Sequence, residues 1–342
     1  MSKVHVSVAM MMTAGLGTRL SPFTQVQTKA LMPVLGIPSA QYTIDTLVAA
    51  GVNDLIANVH HRAESTRQGL LSLDYAGSRL LVSDESDELL GTAGGLRKAI
   101  PYMGQGPVLR ANADVICNID WLSLMDRHQY LRRKKGVSIT MALLQNTTSE
   151  ESYPEILLHP DSEQVIGLGK SIRGGVFWSG AAVIELEALA QIPQKGPSEF
   201  VPWVLSPAIR EQKVGAVLMD TCWYDIGSPR LWLQTHLDLL KTLEEETSSA
   251  RLCPKWRERL LKQNVQLASG VWVDRKAPRL RQDQLHPPVY VGSIDEAPSM
   301  EESHEAIARV ELGPRCVLYG ESAIQGKLQR GIGYSRLWMG ED

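Results

Sequence analysis

Apolar residues occur in short runs and at helical spacing along most of the chain. Residues 4–12 form a nearly continuous apolar run, which predicts a buried first strand. Residues 40–50 carry apolar side chains on one helical face and are followed by Gly51, and residues 54–59 again have the pattern of a strand. Strands that alternate with helices at this spacing predict a parallel sheet with right-handed crossovers.

The alternation continues through the next part of the chain. Further helices are predicted over residues 62–73, 120–132 and 229–245. Further strands are predicted over residues 79–83, 107–111, 136–144, 155–159, 164–168, 176–184 and 214–219. Ser228 is a good N-cap for the long helix that follows it, with Pro229 in the first turn. Ser198 is predicted to cap a helix that runs to residue 212 and that Pro202 and Pro207 make short or kinked.

The polar stretch 244–250 predicts a boundary between a first domain, residues 1–245, and a second, residues 246–342. The second begins with a predicted helix over residues 254–263. Four short apolar segments then resemble turns of a degenerate left-handed β-helix, at residues 270–273, 288–292, 310–313 and 316–320. A loose β-rich tail is the alternative. In either case we expect this domain to serve assembly, such as a homo-oligomer, or regulation rather than chemistry.

A loop of small residues, 13–19, follows the first predicted strand, at the edge of a parallel sheet where α/β proteins bind ligands. Gly15 and Gly17 permit a tight turn whose N–H groups can surround an anion. Arg19 and Lys29 supply cations that suit phosphate oxygens. This combination predicts a polyphosphate site, although glycines after a strand also occur in plain turns.

Several classes of function are excluded. Leu20 stands where a dinucleotide fingerprint needs its third glycine, and no Walker Gly-Lys-Ser/Thr follows the loop. A net charge of −3 does not favour a general nucleic-acid or membrane-surface binder. The 4 cysteines are scattered without a CxxC pair, and we find no long apolar span or leader, so we expect a cytoplasmic protein.

The stretch MMMTAGLGTRLSPFTQVQTKALMPVLGIP, residues 10–38, resembles the signature LAAGxGTRLxPLTxxxPKxLxPV of sugar-1-phosphate nucleotidylyltransferases. Guanylyltransferases for mannose 1-phosphate and uridylyltransferases for N-acetylmuramate 1-phosphate are of this kind. The departure in its second half is Thr28, where the family has proline. The resemblance implies a Rossmann-like α/β domain, a mostly parallel sheet, that carries the small β-rich C-terminal domain.

The resemblance also implies roles for individual residues. LGTAG, residues 90–94, is similar to the family segment that holds the nucleobase, and Asn112-Ala113-Asp114 is similar to a family Asn-Gly-Asp. Asp225 lies in a motif similar to the family's W-x-D-I/T-G-T/S-P. Asp114 and Asp225 are thereby implied to bind Mg²⁺, and Arg19, Lys29 and Asp114 to be catalytic. The residues implied to bind the nucleotide are Ala14, Gly15, Leu16, Gly17, Thr18, Arg19, Lys29, Gly91, Thr92 and Ala93.

The sugar region matches the family less well. Pro154 stands where the family has glycine and lacks an N–H to donate, and Gly169 stands where it has glutamate. Asn112, Lys170 and Gly180 remain as candidate substrate residues. Since hydroxyls would be left without partners, we expect one of two outcomes. The site either favours a sugar with a masked or missing hydroxyl, such as an N-acetyl, deoxy or ether-bearing sugar, or it binds every common sugar 1-phosphate poorly.

The implied reaction joins an NTP and a sugar 1-phosphate into an NDP-sugar and pyrophosphate, by in-line attack on the α-phosphorus. The alternative is a catalytically silent homologue that binds nucleotide or NDP-sugar and regulates a partner. Both magnesium carboxylates are present, which favours the enzyme. The sequence leaves the base and the sugar open.

Overall fold

A computed structural model describes residues 6–145, 153–160, 162–172, 174–245, 252–268 and seven short C-terminal stretches. Those stretches are residues 271–274, 289–292, 310–312, 316–319, 326–328, 331–334 and 337–340. The acidic pair Glu150-Glu151, the segment 295–308 between the second and third apolar segments of the predicted β-helix, and most of the polar stretch 244–250 lie outside the described residues.

The strands and helices largely follow the predicted order. The strands are β1 (Val8–Met12), β2 (Pro33–Val34), β3 (Ile37–Pro38), β4 (Asp54–Val59), β5 (Arg79–Asp84), β6 (Val108–Asn112), β7 (Val115–Cys117), β8 (Ile139–Gln145), β9 (Tyr153–Leu158), β10 (Val165–Ile172), β11 (Val176–Ile184), β12 (Val214–Met219), β13 (Trp223–Asp225), β14 (Asn264–Ala268), β15 (Val271–Asp274), β16 (Val289–Gly292), β17 (Val310–Leu312), β18 (Cys316–Tyr319), β19 (Gly326–Leu328), β20 (Gly331–Tyr334) and β21 (Leu337–Gly340). The α-helices are α1 (Ser39–Ala49), α2 (Ala63–Leu71), α3 (Gly91–Ala99), α4 (Trp121–Lys135), α5 (Ser206–Arg210), α6 (Pro229–Glu244) and α7 (Pro254–Gln263).

The chain forms two compact units, each of which joins stretches distant in sequence. The first contains Met1–Gly15 and Ala40–Trp223, and the second contains Leu16–Ser39 and Tyr224–Asp342. The division at residue 246 stays a prediction.

A mixed sheet organises the first unit. Its described strands follow the order β10-β9-β11-β6-β1-β4-β5, and β8 pairs with both β11 and β12. The central run β6-β1-β4-β5 is parallel, while β11 joins β6 in antiparallel orientation. The expectation of a mixed α/β fold with parallel strands at its centre is therefore confirmed. The carboxyl ends of β1 and β6 are adjacent, with Met12 opposite Asn112.

Local signals explain both ends of α4 and the start of α6. The Asp120 side chain accepts from the Ser123 N–H and starts α4, and Gly136 ends it with φ +65. Ser228 caps α6 as predicted, since its hydroxyl accepts from the Leu231 N–H at 3.3 Å. The prediction for Ser198 is wrong, because its buried hydroxyl has no partner.

The segment after Ser198 is also not one continuous α-helix. It forms a π-helical turn, Val201–Leu205, and then the short helix α5. The reason lies in the backbone of Ser198: its carbonyl accepts from two N–H groups of α3, and its N–H donates to the Leu90 carbonyl at 2.7 Å. The backbone of residue 198 thus hydrogen-bonds to the start of α3 and does not begin a helix of its own.

The second unit is built around α6. Trp232 of this helix packs edge-on against Phe23, with ring centroids 5.2 Å apart, and its indole N–H donates to the Pro33 carbonyl at 2.8 Å. Asn264, which follows α7, donates from Nδ2 to the Leu35 carbonyl at 2.9 Å. The segment 16–39 therefore hydrogen-bonds to residues from the later part of the chain.

The described C-terminal strands form two sets. One sheet has the order β14-β15-β16-β18-β20-β21, parallel from β15 to β20, and β17 pairs in parallel with β19. From β16 to β20, successive strands alternate between the two sets, as they do in a coiling β-structure. The handedness of a β-helix stays a prediction. Among the described residues, no helix has both the length and the apolar character needed to cross a membrane.

Candidate active site

The predicted phosphate loop is fixed where it leaves β1. The Thr13 N–H donates to Asn58 Oδ1 at 2.8 Å, and the Thr13 hydroxyl donates to the Asn58 carbonyl. Asn58 Nδ2 in turn donates to Glu85 Oε1 at 2.8 Å. Asn58 of β4, held by Glu85 directly after β5, therefore sets the position of the loop's first residue. Nothing in the local pattern of the sequence indicated Asn58 or Glu85.

Helix α3 packs directly on this pair. A Cβ atom at Gly95 would lie 2.8 Å from Glu85 Oε1 and 2.9 Å from Asn58 Nδ2, so the position requires glycine. Burial raises the pKa of the Glu85 carboxyl, and the hydrogen bond from Asn58 acts in the opposite direction. Gly95, which directly follows the predicted base segment, therefore has a packing role.

The loop continues with open backbone. A Cβ atom at Gly15 would meet no atom within 4 Å, so its missing side chain leaves room for a ligand. Gly17 has φ +62, and a Cβ there would lie 2.7 Å from the Thr24 methyl carbon. The neighbouring Leu16 and Arg19 are exposed. Thr18 begins a single 3₁₀ turn, Thr18–Leu20, and Ala14 is buried.

Lys29 and Asp225 are brought together within the second unit. Lys29 Nζ lies 3.4 Å from Asp225 Oδ1. A Cβ atom at Gly227 would lie 2.7 Å from Asp225 Oδ2, so the glycine of this motif makes room for the carboxylate. The two residues were predicted independently as a phosphate-binding cation and a metal ligand.

The segment predicted to hold the base is largely occupied by protein contacts. The Thr92 hydroxyl donates to Glu199 Oε2 at 2.7 Å and accepts from the Phe200 N–H at 2.8 Å. The Ala93 N–H donates to the Ser198 carbonyl at 2.8 Å. Gly91 has φ +71, and a Cβ there would lie 2.7 Å from Glu199 Oε1. These contacts leave Thr92 a structural role and bring Glu199, which the sequence did not indicate, to the start of α3.

Asn112 and Asp114 lie at the carboxyl end of β6. Both are half-buried, and the intervening Ala113 N–H donates to the Met12 carbonyl at 3.3 Å. A Cβ atom at Gly180 would lie 2.7 Å from Asn112 Nδ2, so the two predicted substrate residues are neighbours. The structure therefore brings Asn112 and Gly180 together within the first unit.

The region around Gly169 shows why glutamate is missing there. A Cβ atom at Gly169 would lie 2.9 Å from Glu155 Oε2 and 3.1 Å from Glu155 Cβ. The carboxylate of β9 thus lies against position 169 of β10. Pro154 pairs with Ser171 inside the β9–β10 ladder, and Lys170 is exposed. Glu155 is a further candidate for sugar contact that the sequence did not reveal.

An aromatic cluster adjoins Gly180. The rings of Tyr153, Phe177 and Trp223 have centroids 4.8 to 5.0 Å apart. The Trp223 indole N–H donates to the Ser179 carbonyl at 3.1 Å. Trp223 was noted only as part of the motif around Asp225, and its contact with Ser179 gives it a second role in holding the Gly180 backbone.

Asp114 and Asp225 are hard oxygen donors of the kind that Mg²⁺ prefers. In the described part of the chain, no group of three or more His, Cys, Asp or Glu side chains is arranged to hold a metal ion. Each of the two aspartates could supply one carboxylate to a cation whose other ligands are substrate phosphate oxygens and water, which is a common arrangement for Mg²⁺. Their chemistry fits the predicted ion, and the shared metal site stays a prediction.

Comparison with known proteins decides the family. The profile of the nucleotidyl transferase family matches residues 8–153. N-acetylmuramate α-1-phosphate uridylyltransferase of Caulobacter vibrioides is 40% identical over 232 residues, which cover 65% of this chain and 93% of that protein. The chain belongs to the sugar-1-phosphate nucleotidylyltransferase family. The expectation of an enzyme of this family is confirmed.

Other members of this nucleotidylyltransferase family are more distant. The uridylyltransferase of the same name from Neisseria meningitidis is 27% identical, over 64% of this chain and 93% of that protein. Mannose-1-phosphate guanyltransferase of Schizosaccharomyces pombe is 23% identical, and this chain spans only 62% of its length.

Solved structures support the fold. HddC from Yersinia pseudotuberculosis superposes with a TM-score of 0.56 at 18% identity, over 68% of this chain and 99% of that chain. A UDP-glucose pyrophosphorylase in complex with UDP-glucose superposes with a TM-score of 0.53 at 14% identity, over 69% of this chain and 99% of that chain.

Proposed function

We propose that this nucleotidylyltransferase transfers a uridylyl group from UTP to N-acetylmuramate 1-phosphate, with Mg²⁺ as its cofactor. The observation that carries the proposal is the 40% identity to the Caulobacter uridylyltransferase across 93% of that protein. The sugar region agrees with it. Pro154 removes one donor near the sugar, and N-acetylmuramate has an N-acetyl group and an ether where a plain hexose has hydroxyls.

The reaction has a simple balance of bonds. A phosphate oxygen of the sugar 1-phosphate attacks the α-phosphorus of UTP, and the bond from that phosphorus to the oxygen of the β-phosphate breaks. The products are the UDP-sugar and pyrophosphate. No protein nucleophile is needed, because positioning and neutralisation of charge account for most of the catalysis in phosphoryl-type transfers.

In this reaction the loop after β1 binds the nucleotide phosphates. The open backbone at Gly15 faces the phosphates, and Arg19 contacts the leaving pyrophosphate. Lys29 neutralises charge on the same phosphates. Asp114 and Asp225 would hold Mg²⁺, which supplies Lewis-acid stabilisation of phosphate oxygens when it is bound.

The sugar 1-phosphate lies beside Asn112 and Gly180 in this proposal. The Asn112 amide can donate to or accept from a sugar substituent. Glu155 can accept from a sugar hydroxyl, and Lys170, which is exposed, can approach the phosphate or a carboxylate of the sugar. Each of these groups binds or orients the substrate and none transfers a proton.

The deciding experiment is a matrix of substrates. Pyrophosphate release is measured for UTP, GTP, CTP and dTTP, each with the 1-phosphates of N-acetylmuramate, N-acetylglucosamine, mannose and glucose. We expect kcat/KM to be highest for UTP with N-acetylmuramate 1-phosphate. A preference for GTP with mannose 1-phosphate would instead favour the second candidate, which the more distant fission-yeast relative suggests.

We further propose that the C-terminal strands form a left-handed β-helix through which the protein self-associates in the cytoplasm. The parallel pairing of β15, β16, β18 and β20 supports this proposal. Light scattering coupled to gel filtration of the full chain measures its mass. A monomer at all concentrations would contradict self-association, and a crystal structure would determine the handedness.

A further inference from the structure

A charged side chain is buried in the central strand β6, next to the proposed sugar site. Arg110 is only 4% exposed and stands between Leu109 and Ala111, which are both buried. Its guanidinium carbon lies 4.5 Å from the centre of the Trp178 ring and 5.7 Å from that of Phe200. The attraction of a cation to aromatic faces compensates part of the lost hydration.

The charge of Arg110 persists at neutral pH. Burial lowers the pKa of Arg110 to about 10, and the negative charge of Asp114 acts to raise it. Removing a cation from water is costly unless hydrogen bonds and charges compensate it. The Arg110 Nε atom is nevertheless buried without a hydrogen-bond partner. Such a residue calls for a role other than stability.

The direct contact of Arg110 is with the candidate substrate residue Gly180. Its Nη1 donates to the Gly180 carbonyl oxygen. Gly180 lies at the centre of an irregularity in β11, where Trp178 pairs with Leu143 and Ala182 pairs with Met141. Three residues of β11 therefore oppose one residue of β8, and Gly180 has φ +92.

The two peptide groups that flank Gly180 are each held by a different side chain. The Ser179 carbonyl accepts from the Trp223 indole, which orients the peptide that contains the Gly180 N–H. The Gly180 carbonyl accepts from Arg110, and the Ala181 N–H of the same peptide donates to the Ser179 hydroxyl at 3.2 Å. The backbone at this bulge is thus fixed before any ligand binds.

We infer that Arg110 is a positioning residue of the sugar site: its guanidinium holds the Gly180–Ala181 peptide so that the backbone at Gly180 is preorganised for the sugar 1-phosphate. The inference rests on the proposal that this substrate binds beside Gly180. Preorganisation lowers the free energy needed to order a loop on binding, so its loss weakens binding of the sugar far more than binding of the nucleotide.

The test compares variants at two arginines that both lie over aromatic rings. Arg110→Met removes the charge and all N–H donors while it keeps most of the volume. Arg110→Lys keeps the charge but lacks the planar arrangement of donors. Arg127→Met is the matched control, because Arg127 lies 4.4 Å from the Tyr130 ring centre and contacts no candidate site residue. KM is measured for the sugar 1-phosphate that the wild type turns over best, and the dissociation constant is measured for its NTP.

We expect Arg110→Met to raise the KM for the sugar about 10-fold or more and to change NTP binding less than about 3-fold. Arg110→Lys should give an intermediate rise, and guanidinium ion at millimolar concentration should restore part of the sugar affinity of Arg110→Ala. Arg127→Met should leave both constants unchanged.

Equal losses of sugar and NTP affinity in Arg110→Lys, or no loss in any Arg110 variant that folds, would overturn the inference. Should Arg110→Met fail to fold, Arg110→Lys and the guanidinium titration decide the question. A wild type without turnover of any sugar 1-phosphate would instead contradict the proposed function. The two failures are therefore distinguishable.

Discussion

Lys29 Nζ lies 3.4 Å from Asp225 Oδ1, in a pair whose side chains are only 11% and 12% exposed. The partners are separated by 196 residues in sequence. The lysine predicted to bind phosphate and the carboxylate predicted to bind a cation are thus paired with each other. Each partner offsets the cost of burying the other.

This pairing predicts that Lys29 and Asp225 are coupled in catalysis. Lys29→Met should lower kcat/KM by about 10²-fold, because it removes a charged contact to the phosphates and leaves Asp225 uncompensated. Lys29→Arg should retain more activity. The combined variant Lys29→Met with Asp225→Asn should lose much less than the product of the two single losses. If the losses of kcat/KM in the two single variants multiply in the combined variant, the contact between the two side chains does not contribute to catalysis.

A second prediction concerns the two candidate metal ligands. Asp114→Asn and Asp225→Asn should each lower kcat by about 10²-fold or more, and each should raise the Mg²⁺ concentration needed for half-maximal activity. The double variant should be little worse than either single one, since partners in one site are strongly non-additive. The control is Asp120→Asn, which affects only the cap of α4. Unchanged Mg²⁺ dependence in both single variants would contradict the assignment.

Much of the fold was accessible from the sequence because β4, β11, β12 and α7 have strong local patterns, and the predicted bounds agree with the observed ones. The segment after Ser198 was not accessible. Its conformation depends on hydrogen bonds between residue 198 and α3, about a hundred positions earlier, and local propensity contains no information about them. Tertiary contacts override the local signal there.

The same distinction applies to the site. The glycines of the loop after β1, Lys29 and the two predicted metal ligands stand in recognisable motifs. The sequence was therefore sufficient to predict them as site residues. Asn58, Arg110 and Glu155 act through contacts with residues 14 to 70 positions away. In the sequence, each of these three residues looks like an ordinary residue of a predicted strand. Only the pairing of strands shows which loop or bulge they reach.

A third prediction follows from the contact of Glu155 with position 169. Gly169→Glu should not improve activity toward any sugar 1-phosphate, because its Cβ would lie 2.9 Å from Glu155 Oε2 and add a like charge beside it. Glu155→Gln should raise the KM for the sugar about 10-fold, through the loss of a charged acceptor. Glu211→Gln, an exposed carboxylate, is the control. A gain of activity in Gly169→Glu would show that Glu155 does not serve the sugar.

A fourth prediction concerns Thr28, the position where the family has proline. Thr28 has φ −68 and a buried hydroxyl without a hydrogen-bond partner. Proline fits this φ and restricts the unfolded chain, so Thr28→Pro should raise the free energy of unfolding by about 0.5–1 kcal/mol. Thr28→Val replaces only the hydroxyl, so it separates the effect of removing the unpartnered hydroxyl from the effect of restricting the unfolded chain. Denaturant titration of both variants measures them. The Thr28 N–H donates to Gln27 Oε1 at 3.0 Å, and proline removes this bond. A destabilised Thr28→Pro would therefore contradict the prediction and show that the lost bond outweighs the gain.

A fifth prediction concerns pH. Burial lowers the pKa of His236 from its ordinary 6.5 to about 3, so the folded protein keeps this ring neutral where the unfolded chain takes up a proton. The stabilisation from His236 is therefore complete above pH 6.5 and declines as pH falls toward 3, by up to about 1.4 kcal/mol per pH unit. Urea titrations at several pH values should show a shallower decline in His236→Phe. The exposed His159→Gln should behave as wild type, and an equal decline in His236→Phe would contradict the assignment.

The hydrogen bond from Asn264 to the Leu35 carbonyl has a consequence for synthesis of the chain. Its partners are 229 residues apart, and the bond from Trp232 to Pro33 spans 199 residues. The segment that carries Lys29 is therefore synthesised long before the residues that hold it. It can form both of these hydrogen bonds only after translation has passed residue 264.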